Sequence, residues 1–441
     1  CGPPRCGGSK RVARQMMRQL SALLLVAGCA ALRVAPLTPA VRSAPLRPAA
    51  AARAAAPVAV SFAPSPLAAA SRSKLRAAGA RGTAARRAWS CRRLPEVAPI
   101  DMMADIAPKK VGVVGVTGAV GQEIVAVLGE RGFPVSELRL FASARSAGQP
   151  METGSGTLQI EEFSLAAARE CDIVFLAVSG DFALEWAEKI SEGEGGALVI
   201  DNSSAFRYKD GVPLVVPEIN AEAARRAKAK LIANPNCTTA IALMALAPLH
   251  EQFGTRRVIM STYQAASGAG APGMAELEEG TKAMANGGSA SNEVFAHPLP
   301  FNVIPHIDKF LDDKYTKEER KVTWETRKIM DLPDLPVSCT CVRIPTLRAH
   351  AEAITIETEK PVDLDKAYAA LNAAPGVTVA DDLSSNLYPM PLTATKKYDV
   401  EVGRVRKNDV FGDNGLDLFV CGDQLLRGAA LNAVLIAEAV A

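Results

Sequence analysis

The sequence predicts a two-domain α/β protein, with a doubly wound parallel sheet first and an α+β domain on a mixed sheet second. Three observations carry this. A β-rich run from Lys109 to Val116 meets a glycine turn and then a helical pattern. Buried-type strands then alternate with helical stretches up to about residue 236. Beyond about residue 248 the pattern changes to long strands with few helices. The first domain is expected to comprise 108–236 with 406–441, and the second 237–405.

A chain of 441 residues allows two or three domains, and a hydrophobic content of 49% is ample for their cores. The net charge of +3 hides an asymmetry. Residues 1–95 carry 17 Lys and Arg and no acid, which leaves 33 bases against 47 acids in the remainder. An acidic body argues against nucleic acid as a partner. Residues 1–105 read as a targeting leader outside the fold. Their Ala, Arg, Ser and Pro content resembles a transit peptide. Within it, Met17-Arg18-Gln19 precedes an apolar run from Leu20 to Leu32 that is too short for a membrane span and fits a signal-peptide core. Together they resemble the two-part leader of plastid proteins, so the expected location is the plastid (chloroplast), with no membrane for the mature protein. Five cysteines remain in the body, an odd count without the spacing of a disulfide framework. Cys339-Thr340-Cys341 has no His beside it, reads as a strand with both thiols on one face, and gives no reason to expect a metal.

The opening glycine turn runs Gly115-Val116-Thr117-Gly118-Ala119-Val120-Gly121. Ile124, Val125 and Leu128 share one face of the helix after it, which closes at Gly132. Strand, glycine turn and helix open a Rossmann-like dinucleotide site, with Gly115, Thr117, Gly118, Ala119 and Val120 as candidate contacts. The second strand, Glu137 to Phe141, selects the cofactor. A site for NAD would place an acid at its end. Here Arg145 and Ser146 follow instead, which suits a 2′-phosphate and predicts NADP. Strands at Cys171 to Val178, Ala197 to Asp201 and Leu214 to Val216 continue the sheet.

Ala233-Asn234-Pro235-Asn236-Cys237-Thr238-Thr239 then reads as strand, tight turn and helix. Free N–H groups and the helix dipole at that point favour an anion, hence a thiolate. A lone Cys is more often a small buried thiol, so the rest of the chain must supply its chemistry. In the second half, Arg257 to Gln264, Val337 to Ile344, Ala353 to Glu359 and Asp399 to Val405 read as strands, and Glu318 to Met330 as a helix. Leu416 to Ala441 reads as strand, loop and helix returning to the first domain.

From Lys109 to its C-terminus the chain resembles aspartate-semialdehyde dehydrogenase. The separated motifs VTGAVG, ASARSAG, DNSSAFR, NPNCTT, YQAASGAG, NVIPHID, ETRKI, CVRIPTLRAH and GDQLLRGAA carry the resemblance. It implies a homodimer or homotetramer that uses NADPH to reduce 4-phospho-L-aspartate to L-aspartate 4-semialdehyde and inorganic phosphate. It also implies a thioester on Cys237. Of the four histidines, His250, His297 and His306 sit at a helix end or beside prolines, and only the family motif raises His350 to the base. By the same resemblance Gln264 holds the reacting group beside the Cys, with Asn236 among the substrate contacts. Arg343 grips the substrate carboxylate, Arg207 and Lys321 take the phosphate, and Glu318 meets the amino group, with Glu319 a possible confusion. Ser267 and Gly268 lie near the nicotinamide and Gln424 touches the nucleotide. One departure is Ala349, where the family commonly has Gly. A positive φ there would strain Ala by about a kcal/mol or more. Three other readings are an N-acetyl-gamma-glutamyl-phosphate reductase, a Cys–His hydrolase and a non-catalytic relative.

Overall fold

The computed structural model describes residues 106–226 and 230–441. The leader readings for 1–105 lie outside them.

In the first strand, β1 (Lys109–Val114), Val111 to Val114 are buried, as in a sheet covered on both faces. Helix α1 (Ala119–Glu130) crosses over to β2 (Val135–Ala142), which pairs with β1 in parallel. An antiparallel hairpin follows, β3 (Pro150–Thr153) and β4 (Gly156–Glu162). Then come α2 (Leu165–Arg169), β5 (Ile173–Leu176), α3 (Gly180–Ser191), β6 (Leu198–Asp201), α4 (Pro217–Arg225) and β7 (Leu231–Ala233). The strand order is β3-β4-β2-β1-β5-β6-β7. The chain therefore reverses direction across the sheet between β1 and β5. Such a switch point opens a crevice at the carboxyl ends of the strands. The strand expected at Leu214 to Val216 is reduced to one bridge, Leu214 to Ala233, between Pro213 and Pro217.

Helix α5 (Cys237–Phe253) leaves β7 at that crevice. It is apolar on nearly every side and buries Ile241, Leu243, Leu246 and Leu249, as a helix enclosed by protein must. Next come β8 (Thr255–Gln264), a 3₁₀ turn (Ala266–Ala269), α6 (Gly270–Ala285) and α7 (Lys317–Ile329). They are followed by β9 (Val337–Arg343), β10 (His350–Thr358), α8 (Leu364–Ala373), β11 (Val377–Val379), α9 (Pro391–Ala394), β12 (Val400–Lys407) and β13 (Gly415–Gly422). The second sheet runs β11-β12-β13-β10-β8-β9 and mixes parallel with antiparallel pairs. The core under it joins Ile241 and Leu243 of α5 to Met260, Ile354 and Leu418 of the strands. Cys339 and Cys341 both face inward, as the alternation predicts.

Two expectations need correction. The second domain carries more helix than expected, because α6 is built on glycines and alanines without a strong apolar stripe. The return to the first domain also comes later than residue 406. Strands β12 and β13 are hydrogen-bonded into the mixed sheet, β13 directly to β10. Only after Gly422 does the chain cross back, through a π-helical turn (Leu426–Ala430) into α10 (Leu431–Val440). Val434 and Ile436 there share a core with Val111, Ile124 and Phe175. Arg131, which caps the C-terminus of α1, clamps Glu438 with two bonds of 2.5 and 2.7 Å.

Candidate active site

The nucleophile candidate, Cys237, is the first residue of α5, and Asn236 is its N-cap. The Asn236 side chain accepts from Thr239 N–H at 3.2 Å, so the helix start is fixed by its own sequence. Its backbone N–H donates to the buried Glu325 carboxylate at 2.5 Å. Around Cys237 lies a cleft of about 290 Å³ at the carboxyl ends of the first sheet. Asn236, Arg207, Gln264, Glu318, Lys321, and Arg343 are among the side chains lining it. A larger hollow of about 880 Å³ opens at the opposite ends of these strands, beside Lys109, Asp172 and Lys230, and no histidine is among the described residues lining it.

Glu318 is the hub. It accepts from Asn236 at 2.9 Å, Gln264 at 3.2 Å and Lys321 at 3.0 Å. Burial opposes its charge, but the Lys321 ammonium and these hydrogen bonds outweigh that and hold the carboxyl at about 2. Glu319 is spent elsewhere. It closes a capping box with Thr316 and accepts from Cys341 N–H at 3.1 Å, so Glu318 is the acid of the cleft. Lys321 also binds Asp308 at 2.8 Å. Arg207 donates to Asn234 O, Asn202 O and Glu325 at 2.9 to 3.0 Å, which leaves two of its five N–H groups for a ligand. Arg343 spends one bond of 2.6 Å, on Ala265 O, and keeps the rest of its fork. A Cβ on Gly268 would stand 2.6 Å from that guanidinium and would have to displace it, so glycine leaves the fork in place.

Cys237 is half-buried, and its thiol is pushed up to about 12 by burial and by Glu318, against Arg207 and the bonds from Thr238. The helix start does favour an anion, but burial and the Glu318 charge outweigh it, and the expected thiolate is a thiol. His350 is fully buried, and burial with the Arg343 charge lowers it to about 3. Its Nδ1 accepts from Ala265 N–H at 3.1 Å, which puts the proton of the neutral ring on Nε2, 3.4 Å from Gln264 Nε2. His350 does not itself line the cleft, but on its side facing Gln264 and Gly268, which do, the resting ring is a donor, where a base was expected. The other histidines are placed apart. His250 accepts from Thr255 N–H at the end of α5, His306 stacks on Phe310, and His297 is exposed.

The sign of the Glu318 effect is testable. Glu318→Gln removes a charge that disfavours the thiolate. Alkylation of Cys237 by iodoacetamide near pH 8 should accelerate, about tenfold for each unit its pKa falls. An unchanged or slower rate would show that this charge does not reach the sulfur.

The dinucleotide contacts gather at the start of α1. Gly115 has φ 84, and a Cβ there would stand 2.3 Å from Ala177 O. A Cβ on Gly121 would stand 2.4 Å from Gly115 O, so both glycines are sterically required. No side chain caps α1, which leaves the N–H groups of Ala119 and Val120 for an anion. Thr117 and Gly118 are exposed beside them, and Arg145 and Ser146 lie in the turn after β2, with Arg145 exposed. Ser267 and Gln424 are buried against one another by a hydrogen bond and also line the cleft.

Two family profiles match in succession, the "semialdehyde dehydrogenase, NAD binding domain" at residues 110–227 and the "semialdehyde dehydrogenase, dimerisation domain" at 246–427. An aspartate-semialdehyde dehydrogenase of Synechocystis sp. is 45% identical over 332 residues, covering 75% of this chain and 97% of the relative. One from Aquifex aeolicus is 45% identical over 337 residues, covering 75% and 97%. The crystal structure of aspartate semialdehyde dehydrogenase II from Vibrio cholerae, complexed with ASA, superposes with a TM-score of 0.72 at 39% identity, covering 76% of this chain and 98% of that one. The chain belongs to the aspartate-semialdehyde dehydrogenase family.

Within that family assignment, four polar residues, of which Glu325 and Asn234 are buried, were invisible to motif reading. Glu325, Asn234, Asn202 and Asp308 touch no expected ligand and act by holding Arg207, the Cys237 loop and Lys321. ETRKI, NPNCTT, DNSSAFR and NVIPHID contain them, but their partners lie up to 118 residues away. The strain anticipated at Ala349 is present, at φ 68 in a fully buried position. Among the described residues no group of three or more His, Cys, Asp or Glu could hold a metal, and no helix is long and apolar enough to cross a membrane.

Proposed function

We propose that this chain reduces 4-phospho-L-aspartate to L-aspartate 4-semialdehyde and phosphate with NADPH, a step toward lysine, threonine, methionine and isoleucine. The observation that carries it is Cys237 at a helix start, in one cleft with a carboxylate fork, a phosphate pair and an acid for an ammonium. Arg343 takes the α-carboxylate with its free donors. Glu318 takes the amino group, and that ammonium offsets the charge that holds the Cys237 proton on. Arg207 and Lys321 hold the phosphate. Cys237 attacks the acyl carbon, the C–O bond to phosphate breaks, and the thiol proton leaves with the phosphate. His350 Nε2–H and Gln264 donate to the carbonyl oxygen as it gains charge. Bound NADPH supplies the hydride that reduces the thioester. The uncapped start of α1 fits its diphosphate and Arg145 its 2′-phosphate.

A dimer is supported by the profile of the second domain and by Ile259 and Tyr263, exposed on the outer face of the mixed sheet. A tetramer would be two such dimers. Purified protein should oxidise aspartate 4-semialdehyde with NADP only when phosphate is present, and use NAD far less well. Activity with N-acetyl-glutamate 5-semialdehyde instead would transfer the same machinery to the rival acyl phosphate.

We infer plastid delivery from the Arg- and Ser-rich residues 1–105, of which 1–95 carry no acid. A fluorescent protein fused behind them should enter plastids of an alga with secondary plastids, and retention in the cytosol would refute the leader.

A further inference from the structure

The turn that delivers His350 contains a largely buried cation with no part in the chemistry above. Arg348 donates through Nε to Asp423 at 2.5 Å and through Nη1 to Glu123 at 2.5 Å. Asp423 is itself fixed, since it accepts the backbone N–H groups of Lys396, Leu425 and Leu426. Glu123 lies on α1, one turn beyond the N–H groups of Ala119 and Val120. Next to Arg348, Ala349 is held in the left-handed region, and its N–H donates to Gln424 Oε1 at 2.8 Å. His350 follows directly. One continuous set of contacts thus runs from the dinucleotide helix through Arg348 to the imidazole.

Two physical consequences follow. A carboxylate one turn from a diphosphate site repels the diphosphate unless it is neutralised, and Arg348 is the cation on Glu123. A strained left-handed turn persists only while its flanks over-determine it. Two ion pairs on Arg348 and the Gln424 bond do so here, within two residues of His350.

We propose that Arg348 is a positioning residue that joins the dinucleotide site to His350, neutralising Glu123 for the nucleotide and locking the turn that aims the ring. This rests on the reading given under Proposed function. The two roles separate by mutation of the full chain. Arg348→Met should raise the dissociation constant for NADPH, read from its fluorescence, about tenfold, and should lower kcat about tenfold or more. The KM for aspartate 4-semialdehyde should stay within about threefold, because Arg343, Glu318, Arg207 and Lys321 are untouched. Arg348→Met with Glu123→Gln removes the stranded carboxylate. It should restore NADPH binding to within about threefold of wild type and leave kcat low. Should Arg348→Met fail to fold, Glu123→Gln alone carries the test. It should bind NADPH at least as tightly as wild type and lose about threefold or more in kcat. Arg348→Met with unchanged NADPH affinity, a double variant no better at binding NADPH than Arg348→Met, or Glu123→Gln with wild-type kcat would each overturn the proposal. A wild type that binds NADPH but reduces no acyl phosphate would refute the functional reading, and the binding series would still decide the charge compensation.

Discussion

Cys237→Ser should abolish phosphate-dependent oxidation of aspartate 4-semialdehyde, by roughly 10³-fold or more, while leaving NADPH binding and the melting temperature near wild type. The substitution is close to isosteric at a half-buried helix start, and Ser is as good a first-turn residue as Cys. Structure therefore has little reason to change, and the loss reports chemistry. A serine hydroxyl is a far weaker nucleophile than a thiol, and an oxygen ester accepts hydride less readily than a thioester. The pH dependence of the wild type follows from the two shifts. The resting thiol is pushed to about 12 and the imidazole down to about 3, so neither titrates between them. Since a raised thiol pKa keeps the proton on, alkylation of the free enzyme should climb with pH, about tenfold per unit, without a plateau below pH 10. A plateau near pH 7 would mean a resting thiolate. Substantial phosphate-dependent activity in Cys237→Ser would remove the thioester from the mechanism.

Much of this was legible in the sequence, for identifiable reasons. Gly115 is demanded by its own positive φ and Gly121 by the carbonyl of Gly115 in the same turn, and such local needs are written in local spacing. Asn236 caps α5 and Thr316 boxes with Glu319, both over three residues. The capping box could have resolved the Glu318/Glu319 ambiguity, because T-x-x-E spends the second acid. What was not legible is non-local. The β3–β4 hairpin is short and partly exposed, without a strong apolar alternation. The place of β13 depends on pairing with β10, about 65 residues earlier along the chain. The state of the thiol depends on Glu318, whose charge reaches Cys237 only after α7 is packed. The donor tautomer of His350 depends on one backbone N–H, that of Ala265.

Gly428→Ala should be the most damaging change among residues that touch no substrate. Gly428 sits in the π-helical turn where the chain re-enters the first domain, and π-turns of this kind cluster at functional sites. A Cβ there would stand 2.5 Å from the Cys237 Cβ and 2.9 Å from its Cα. Neither side can yield cheaply. The turn is tied by Ala429 O, which accepts from Asn234 at 3.1 Å, and by Ala430 N–H to Leu425 O at 2.9 Å. The nucleophile is tied by Asn236 to Glu325 and to its own helix. Overpacking of this kind costs about 1 to 3 kcal/mol of stability. A nucleophile moved by about 1 Å loses on the order of 10²-fold in kcat. Gly180→Ala is the matched control, a first-turn helical glycine whose new Cβ meets nothing within 4 Å. It should leave kcat and stability unchanged. If Gly428→Ala kept kcat within about threefold, the nucleophile would have more freedom than its hydrogen bonds imply, and the fixed geometry assigned to Cys237 would be wrong.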